Sequence, residues 1–548
     1  MASRALPDAA LPVSPDVAPA LSVSPDARAA LLLAPLLLLF LQFRQSVDFV
    51  AIDAPEGVWI WSALTLLATL ALAAMARWSD LPVWGRRFGK GSAAFLIFYF
   101  AIEPMVMPRV GLPAGHPAIA FHESARFVAL ALGALGLWRP GFLWGGAMWL
   151  FLARELNPTV TGFHFSTLDI RNVAEVMVWV AGSHALVIGL SRWPAARRAL
   201  GLDAPTLRRT LLFVLAAGIG AHLGNYFWSA LAKLALDGGP LSWLLHNDLR
   251  GHMLGSIEKR ILPYYASPTL TQAVWDAFGW LNRPMVIASF ALQAFALVAP
   301  RRRRWLMAAT FAYDLFHLFI FASLGLFFFK WIGLNIIIFF TIAAIRDAEW
   351  DRNAARLCMA FVLAGAAFFK TAMLAWYDSG SFVSPFFEAE MADGTRHRVP
   401  SAFFASASYS VSQAQLHVPA GSPHFTPYVF GSTRHHADYQ LQERCQLPER
   451  AQPVAARFGS LEMLGRYVGE AHRIALEHAD SRGVFNWWLY PHHHVPWPFV
   501  TEPFYGADKR QVVRYHYVLE SICQTMQDGR VQRRVLVRQE WPVYQVAR

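Results

Sequence analysis

The sequence predicts a polytopic α-helical membrane bundle of about eleven segments, N-terminus inside, followed by a β-rich extracytoplasmic domain. Three observations predict it. The 548 residues are 55% hydrophobic and only 16% charged, more apolar than a soluble chain needs. Apolar stretches long enough to span a bilayer recur between residues 29 and 377. Arginines gather in alternate gaps between those stretches.

Residues 1–28 are rich in Pro and Ala and repeat Val-Ser-Pro-Asp at 13–16 and 23–26, which reads as a disordered tail. They lack the basic start of a cleaved signal, so the next apolar run is expected to stay as a helix. Within a membrane domain over 29–383, segments are expected near 29–43, 57–76, 91–107, 123–138, 141–154, 172–190, 208–231, 283–299, 305–325, 327–345 and 355–377. Arg77, Arg86, Arg87 and Lys90 follow the second segment, and Arg192, Arg197, Arg198, Arg208 and Arg209 follow the sixth. Arg301, Arg302, Arg303 and Arg304 follow the eighth, and Arg346, Arg352 and Arg356 the tenth. With the N-terminus inside, all these loops fall on the cytoplasmic face, and the loop 232–282 falls outside.

The domain over 384–548 falls outside as well. Strands over 386–391 and 395–399 flank Asp393-Gly394, and strands over 512–525 and 530–538 flank Asp528-Gly529. Asp-Gly suits the tight turn of a hairpin, because both positions tolerate positive φ. An amphipathic helix is expected over 461–478. Cys358 lies in an apolar helix and reads as core, while Cys445 and Cys523 can pair if their domain is extracytoplasmic. The net charge of +11 does not point to nucleic acid, since the arginines flank membrane segments.

On this topology the ionisable residues crowd the outer half of the bundle. His122, Glu123, Arg126, Arg154, Glu155, His164, Asp169, Arg171 and Glu175 lie at outer segment ends or adjoining loops, and His222, Asp314 and His317 sit near mid-helix. Glu123 and Arg126 can pair one turn apart, and Arg154-Glu155 and Asp169-Arg171 offer similar partners. A structural ion-pair network is the favoured reading of these groups. Asp314 stands one turn from His317 and can orient its ring. His492, His493 and His494 are consecutive and share no helical face, so no metal site is expected. Gly182, Gly189, Gly218, Gly220 and Gly224 read as helix-packing positions.

Lys233 ends the seventh segment, in Asn225-Tyr226-Phe227-Trp228-Ser229-Ala230-Leu231-Ala232-Lys233-Leu234. An ammonium at the centre of a membrane helix costs roughly 2.5–3.5 kcal/mol on insertion scales, so it needs a reason. Snorkelling to the interface is one. A base is the other, because desolvation favours the neutral amine.

This run resembles the segment carrying the proposed catalytic lysine of vitamin K-dependent γ-glutamyl carboxylase, with Ala232 in place of the first of two lysines and Lys233 in place of the second. Phe316-His317-Leu318-Phe319-Ile320-Phe321-Ala322-Ser323-Leu324-Gly325-Leu326-Phe327 resembles that family's Phe-His helix, and His164-Phe165-Ser166-Thr167-Leu168 resembles a His-containing turn. The tail resembles that of bacterial relatives grouped as the horizontally transferred transmembrane domain family. The resemblance implies a quinol-dependent carboxylase-type enzyme of a bacterial inner membrane. Its cofactors would be a reduced quinone (menaquinone or vitamin K hydroquinone), oxygen and carbon dioxide. Its partners would be the lipid bilayer, the quinol and a secreted or periplasmic glutamate-containing peptide. Lys233, His317 and His164 are then the expected catalytic residues. Asp314, His222, Tyr226, Arg126 and Arg154 would line the pocket, the two arginines to hold a substrate carboxylate. In that chemistry the quinone becomes an epoxide as a glutamate loses its γ-proton and gains carbon dioxide. The alternative is a non-catalytic membrane partner that grips a secreted peptide. A transporter is least favoured, since the sequence shows no internal repeat and no pair of broken helices.

Overall fold

The computed structural model describes residues 23–102, 107–162, 168–262, 264, 266–401, 403–404, 411, 416–419, 422–428, 432–449, 460–483 and 503–547. Each of the eleven predicted stretches holds a helix. The first, α1 (Pro25–Ile52), opens on Ser24, whose side chain accepts from the Ala27 amide, with Pro25 in the first turn and Asp26 beside it. A hydroxyl cap, a leading proline and an early acid are all helix-start signals. The second Val-Ser-Pro-Asp copy is therefore the cap of α1, and the tail boundary predicted at 28 falls inside the helix.

There follow α2 (Val58–Met75), α3 (Val83–Ile102), α4 (Pro117–Gly136), α5 (Pro140–Glu155) and the short α6 (Asn157–Thr161). Next come α7 (Leu168–Arg192), the short α8 (Pro194–Ala199) and α9 (Ala204–Leu234). The loop predicted over 232–282 contains α10 (Ser242–His246), α11 (Leu249–Glu258) and the start of α12 (Pro268–Phe295). The bundle ends with α13 (Arg303–Leu324), α14 (Phe329–Ala343) and α15 (Arg352–Ala364).

Among the described residues, six helical stretches are long and apolar enough to cross a membrane: Pro25–Ile52, Pro55–Met75, Pro117–Gly136, Ile170–Arg192, Ala204–Leu234 and Arg303–Leu324. The other five predicted spans are helices that fall short. α3 carries Arg86, Arg87 and Lys90 in its first half and α12 carries Asp276, Asn282 and Arg283, while α5, α14 and α15 have only 16, 15 and 13 residues. At 1.5 Å per residue such lengths fall below the ~30 Å hydrocarbon core. Large apolar side chains such as Leu31, Ile60, Leu64 and Phe127 stand exposed on the outer helices. A surface this apolar, on helices this long, marks a membrane protein. α9 is the central helix, its apolar window buried throughout. A Cβ on Gly220 would lie 2.3 Å from the Cys358 carbonyl, so this glycine lets α15 close on α9 as its packing role predicts. Cys358 is buried there as expected.

The last predicted span, 355–377, departs most. α15 stops at Ala364, and after one tight turn at Gly365–Ala367 the chain runs non-helical to β1 (Tyr377–Asp378).

Beyond it lies an antiparallel sheet in the order β3-β2-β5-β6, built from β2 (Ser381–Met391), β3 (Arg396–Val399), β5 (Val512–Gln527) and β6 (Arg530–Gln545). Both predicted hairpins are present. Asp528 and Gly529 both have positive φ, as the Asp-Gly reading requires, whereas at the first hairpin only Gly394 does and the turn is longer, closed by the Met391 amide on the Thr395 carbonyl. The short β4 (Ser432–Thr433) pairs with β1, and α16 (His436–Glu443) follows it. The predicted amphipathic helix is α17 (Leu461–Glu477). Its Leu464, Tyr467 and Val468 share a core with Phe387, Tyr515 and Tyr517 of the sheet. Cys445 and Cys523 form a disulfide.

Glu258, at the end of α11, joins bundle to sheet. It meets Arg398 at 2.9 Å and Arg533 at 3.3 Å, and accepts from Ser384 at 2.9 Å and Gln524 at 3.2 Å. Burial alone would raise its pKa, but Arg398, Arg533 and Lys259 bring it down to about 2. Burial, with Arg398 adding to it, pushes the neighbouring Lys259 down to about 7.

Candidate functional site

Spacings of three and four residues put His222, Asn225, Tyr226, Ser229 and Lys233 on one side of α9. All five are buried. Polar groups on the central helix of an apolar bundle must find partners inside the protein. Most find them in the non-helical segment after Gly365–Ala367.

That segment behaves as a strand whose partner is a row of side chains. The Lys370 amide donates to Glu175 at 2.5 Å, the Ala372 amide to Asn225 at 2.8 Å and the Leu374 amide to the Ser229 hydroxyl at 3.0 Å. The carbonyls match: Lys370 accepts from Asn172 at 3.0 Å, Leu374 from Lys233 at 3.0 Å and Trp376 from Trp243 at 2.9 Å. Every second residue turns both its N–H and its C=O to the same side, the periodicity of extended chain. Non-helical backbone at membrane depth is tolerated only where protein satisfies it, and α7 and α9 supply that satisfaction.

Lys233 ends the row. Its ammonium nitrogen bonds Gln293 Oε1 at 2.8 Å, the Leu374 carbonyl at 3.0 Å and the Ser229 carbonyl at 3.3 Å, and lies 5.0 Å from the Trp243 ring centre. These partners are uncharged. Past the row, Asp378 is buried and accepts from Trp376, Asn247 and His252 at 2.9 to 3.0 Å.

Toward the middle of α9 an amide network takes over. His222 faces Asn172 Oδ1 at 3.2 Å through Nδ1 and Asn335 Oδ1 at 2.9 Å through Nε2. The Asn335 amide nitrogen donates to the Tyr226 hydroxyl and to Asp314, both at 3.0 Å. In this arrangement both ring nitrogens donate, and the Asp314 carboxylate balances the charge one amide away. Turning the Asn335 amide over would make His222 an acceptor and require the proton on Asp314. The chain Asp314–Asn335–His222 can thus hold one proton at either end. Around it, Tyr226 stacks on Tyr313 at 3.8 Å, and His317 stacks on Phe328 at 5.1 Å with Trp331 and Tyr226 at 5.8 Å. Tyr313 also donates to the Leu292 carbonyl at 3.1 Å, next to Gln293, which places this aromatic cluster beside the Lys233 partners.

The expected residues divide accordingly. Lys233, Tyr226, His222, Asp314 and His317 fall in this one region, with Asp314 bonded to Asn335. Arg154 is buried on α5 with its guanidinium 4.9 Å above the Tyr99 ring. Arg126 donates to the Ala101 carbonyl at 3.3 Å, on the side of α4 that packs on α3. The expected Glu123–Arg126 pair is replaced by Glu123–Arg109, since α4 presents Glu123 to the segment before it. Arg171 pairs with Glu175 at 3.0 Å, Glu155 at 2.6 Å and Asp48 at 2.9 Å, a structural network of the kind expected. His164 and the run His492 to His494 lie outside the described residues, and Asp169 falls in the first turn of α7.

Sequence reasoning missed Asn172, Asn225, Ser229, Gln293 and Asn335. Their signal was present: each is a hydrogen-bonding side chain within an apolar helix, costly unless partnered. No family model, curated protein or solved structure matches the chain.

Proposed function

We propose that the protein is a membrane-embedded, quinol-dependent enzyme of the γ-glutamyl carboxylase type, with Lys233 as its base. The observation that carries this reading is the Lys233 amine, buried among the uncharged partners Gln293, Leu374 and Ser229. Intramembrane charges usually pair with opposite ones, so uncharged partners suit an amine that accepts a proton. The three acceptors match the three hydrogens of an ammonium, and loss of one proton would give up the longest contact, the Ser229 carbonyl at 3.3 Å, and leave the lone pair on that side.

The planar faces of Tyr226, Tyr313, His317, Phe328 and Trp331 fit a flat quinol ring and exclude water from it. When bound, a reduced naphthoquinone with oxygen and carbon dioxide would supply the oxidation that drives removal of a glutamate γ-proton and its carboxylation. His222, Asn335 and Asp314 would hold or pass a proton. Arg154, buried over the Tyr99 ring, and Arg126 would be the arginines that meet a substrate carboxylate. The sheet domain belongs outside a bacterial inner membrane, facing a secreted or periplasmic peptide. The Cys445–Cys523 bridge and the arginines of the opposite loops support that side.

The row of contacts to residues 370–376 favours a second reading, in which Lys233 is a fastener and the bundle a non-catalytic partner for a secreted peptide. One assay separates the two. Purified protein is given reduced menaquinone or vitamin K, oxygen and bicarbonate, and quinone epoxide is measured. Ser229→Ala loosens the same segment and keeps the amine. Epoxide lost in Lys233→Ala but kept in Ser229→Ala supports the base. Equal loss in both, or epoxide kept in Lys233→Ala, supports the fastener.

A further inference from the structure

The far end of α9 from Lys233 carries a second feature, independent of the proposed chemistry. Arg28, Arg192, Arg197, Arg198 and Asp203 line a cleft of about 380 Å³ where α1 and α9 begin and α7 ends. Asp203 caps α9 by accepting from the Thr206 amide at 2.8 Å and meets Arg28 at 3.4 Å. Arg192 pairs with Asp80 at 2.6 Å. Among the described residues no ion pair engages Arg197 or Arg198. Beside the cleft, an apolar groove of about 190 Å³ runs between α1, α2 and α7, lined by Leu36, Phe43, Leu72, Met75, Val178 and Leu186. The two adjoin, since Arg192 donates to the Met75 carbonyl at 2.8 Å and Leu186 lies less than two turns from Arg192 on α7. Trp193, 64% exposed, stands at the same level.

We propose that cleft and groove together bind one anionic phospholipid, its phosphate among the arginines and an acyl chain in the groove. Four guanidinium groups against Asp203 and the Asp80 that pairs with Arg192 leave the cleft cationic by two charges, and guanidinium matches phosphate in shape and hydrogen bonding. From Arg28 to Leu36 the helix rises ~12 Å, the scale of a headgroup and the first part of an acyl chain. Orientation of the protein by positive loops accounts for arginines on this face. It does not account for their convergence on a cleft continuous with an apolar groove. Basic pockets between helix ends at a membrane surface suit anionic headgroups.

The test is native mass spectrometry of the full-length protein released from phosphatidylcholine nanodiscs containing a minor share of phosphatidylglycerol. The wild type is expected to retain phosphatidylglycerol, and excess inorganic phosphate is expected not to displace it. Arg197→Glu/Arg198→Glu is expected to lower retention at least about tenfold, from the loss and reversal of two interfacial charges. Ala71→Phe, at an exposed groove position, is expected to weaken retention while all the arginines remain. Equal retention by the wild type and the arginine variant, with both melting alike, would overturn the proposal. So would full retention by Ala71→Phe, or displacement by inorganic phosphate, which would make the cleft a site for the free ion.

Discussion

Replacing Asn225 with leucine probes how the chain after α15 is held inside the bundle. The Asn225 side chain accepts the Ala372 amide at 2.8 Å and donates to the His222 carbonyl at 2.8 Å. Leucine is close in size and leaves the Ala372 N–H buried with its acceptor gone. An unsatisfied buried donor costs about 1–3 kcal/mol. At 1.4 kcal/mol per factor of ten, local opening becomes about 5- to 150-fold more frequent. The assay is hydrogen exchange by mass spectrometry on peptides covering 368–376, in detergent, for the wild type and Asn225→Leu. Exchange is expected to quicken by that factor there and to stay unchanged in α4, which packs on α3 and α5. Asn225→Asp keeps an acceptor for Ala372 and is expected to retain most of the protection. Unchanged exchange at 368–376 in the leucine variant would refute the claim that side chains of α7 and α9 act as this segment's strand partner.

Four further outcomes are expected. Asn335→Leu removes the links to His222, Tyr226 and Asp314 together, so thermal stability of the purified protein is expected to drop more than in Tyr226→Phe, which loses one of them. Glu258 has its pKa brought from 4.5 to about 2, so its contribution is complete above 4.5 and lost as pH falls toward 2, about 3 kcal/mol in all. Limited proteolysis of the sheet region is expected to quicken over that acid window in the wild type, and the window is expected to vanish in Glu258→Gln. Opening the Cys445–Cys523 bridge frees a loop with a sequence separation of 78, worth up to about 4.5 kcal/mol in the chain-entropy model, so Cys445→Ala/Cys523→Ala is expected to lower the urea midpoint. Gly220→Leu is expected to abolish folded expression, because Cys358 backbone occupies the space its side chain would need.

The two hairpins, α17 and the placement of the long helices were legible because their signals are local. Asp393-Gly394 and Asp528-Gly529 name their own turns, and the spacing of Leu464, Tyr467 and Val468 marks one face of a helix. The segment after Ala364 was not legible. Phe368, Phe369, Ala372, Met373 and Leu374 look like the continuation of a membrane helix, and only partners far off in sequence (Glu175, Asn225, Ser229 and Lys233) make the non-helical path affordable. The candidate site was half legible. Charged and aromatic members drew notice through the cost of burying them, while the amides of Asn172, Asn335 and Gln293 did not. Their role lies in which groups they join, and that is set by helix packing.

The central claim is that the Lys233 amine takes a proton during turnover. Its most direct test is chemical rescue of Lys233→Ala, measured as quinone epoxide formation with small primary amines of graded basicity in the buffer. The account predicts no epoxide without amine and a rate that rises with amine basicity. A Lys233→Ala protein that makes epoxide unaided, or one that no amine restores although Ser229→Ala is active, would contradict it.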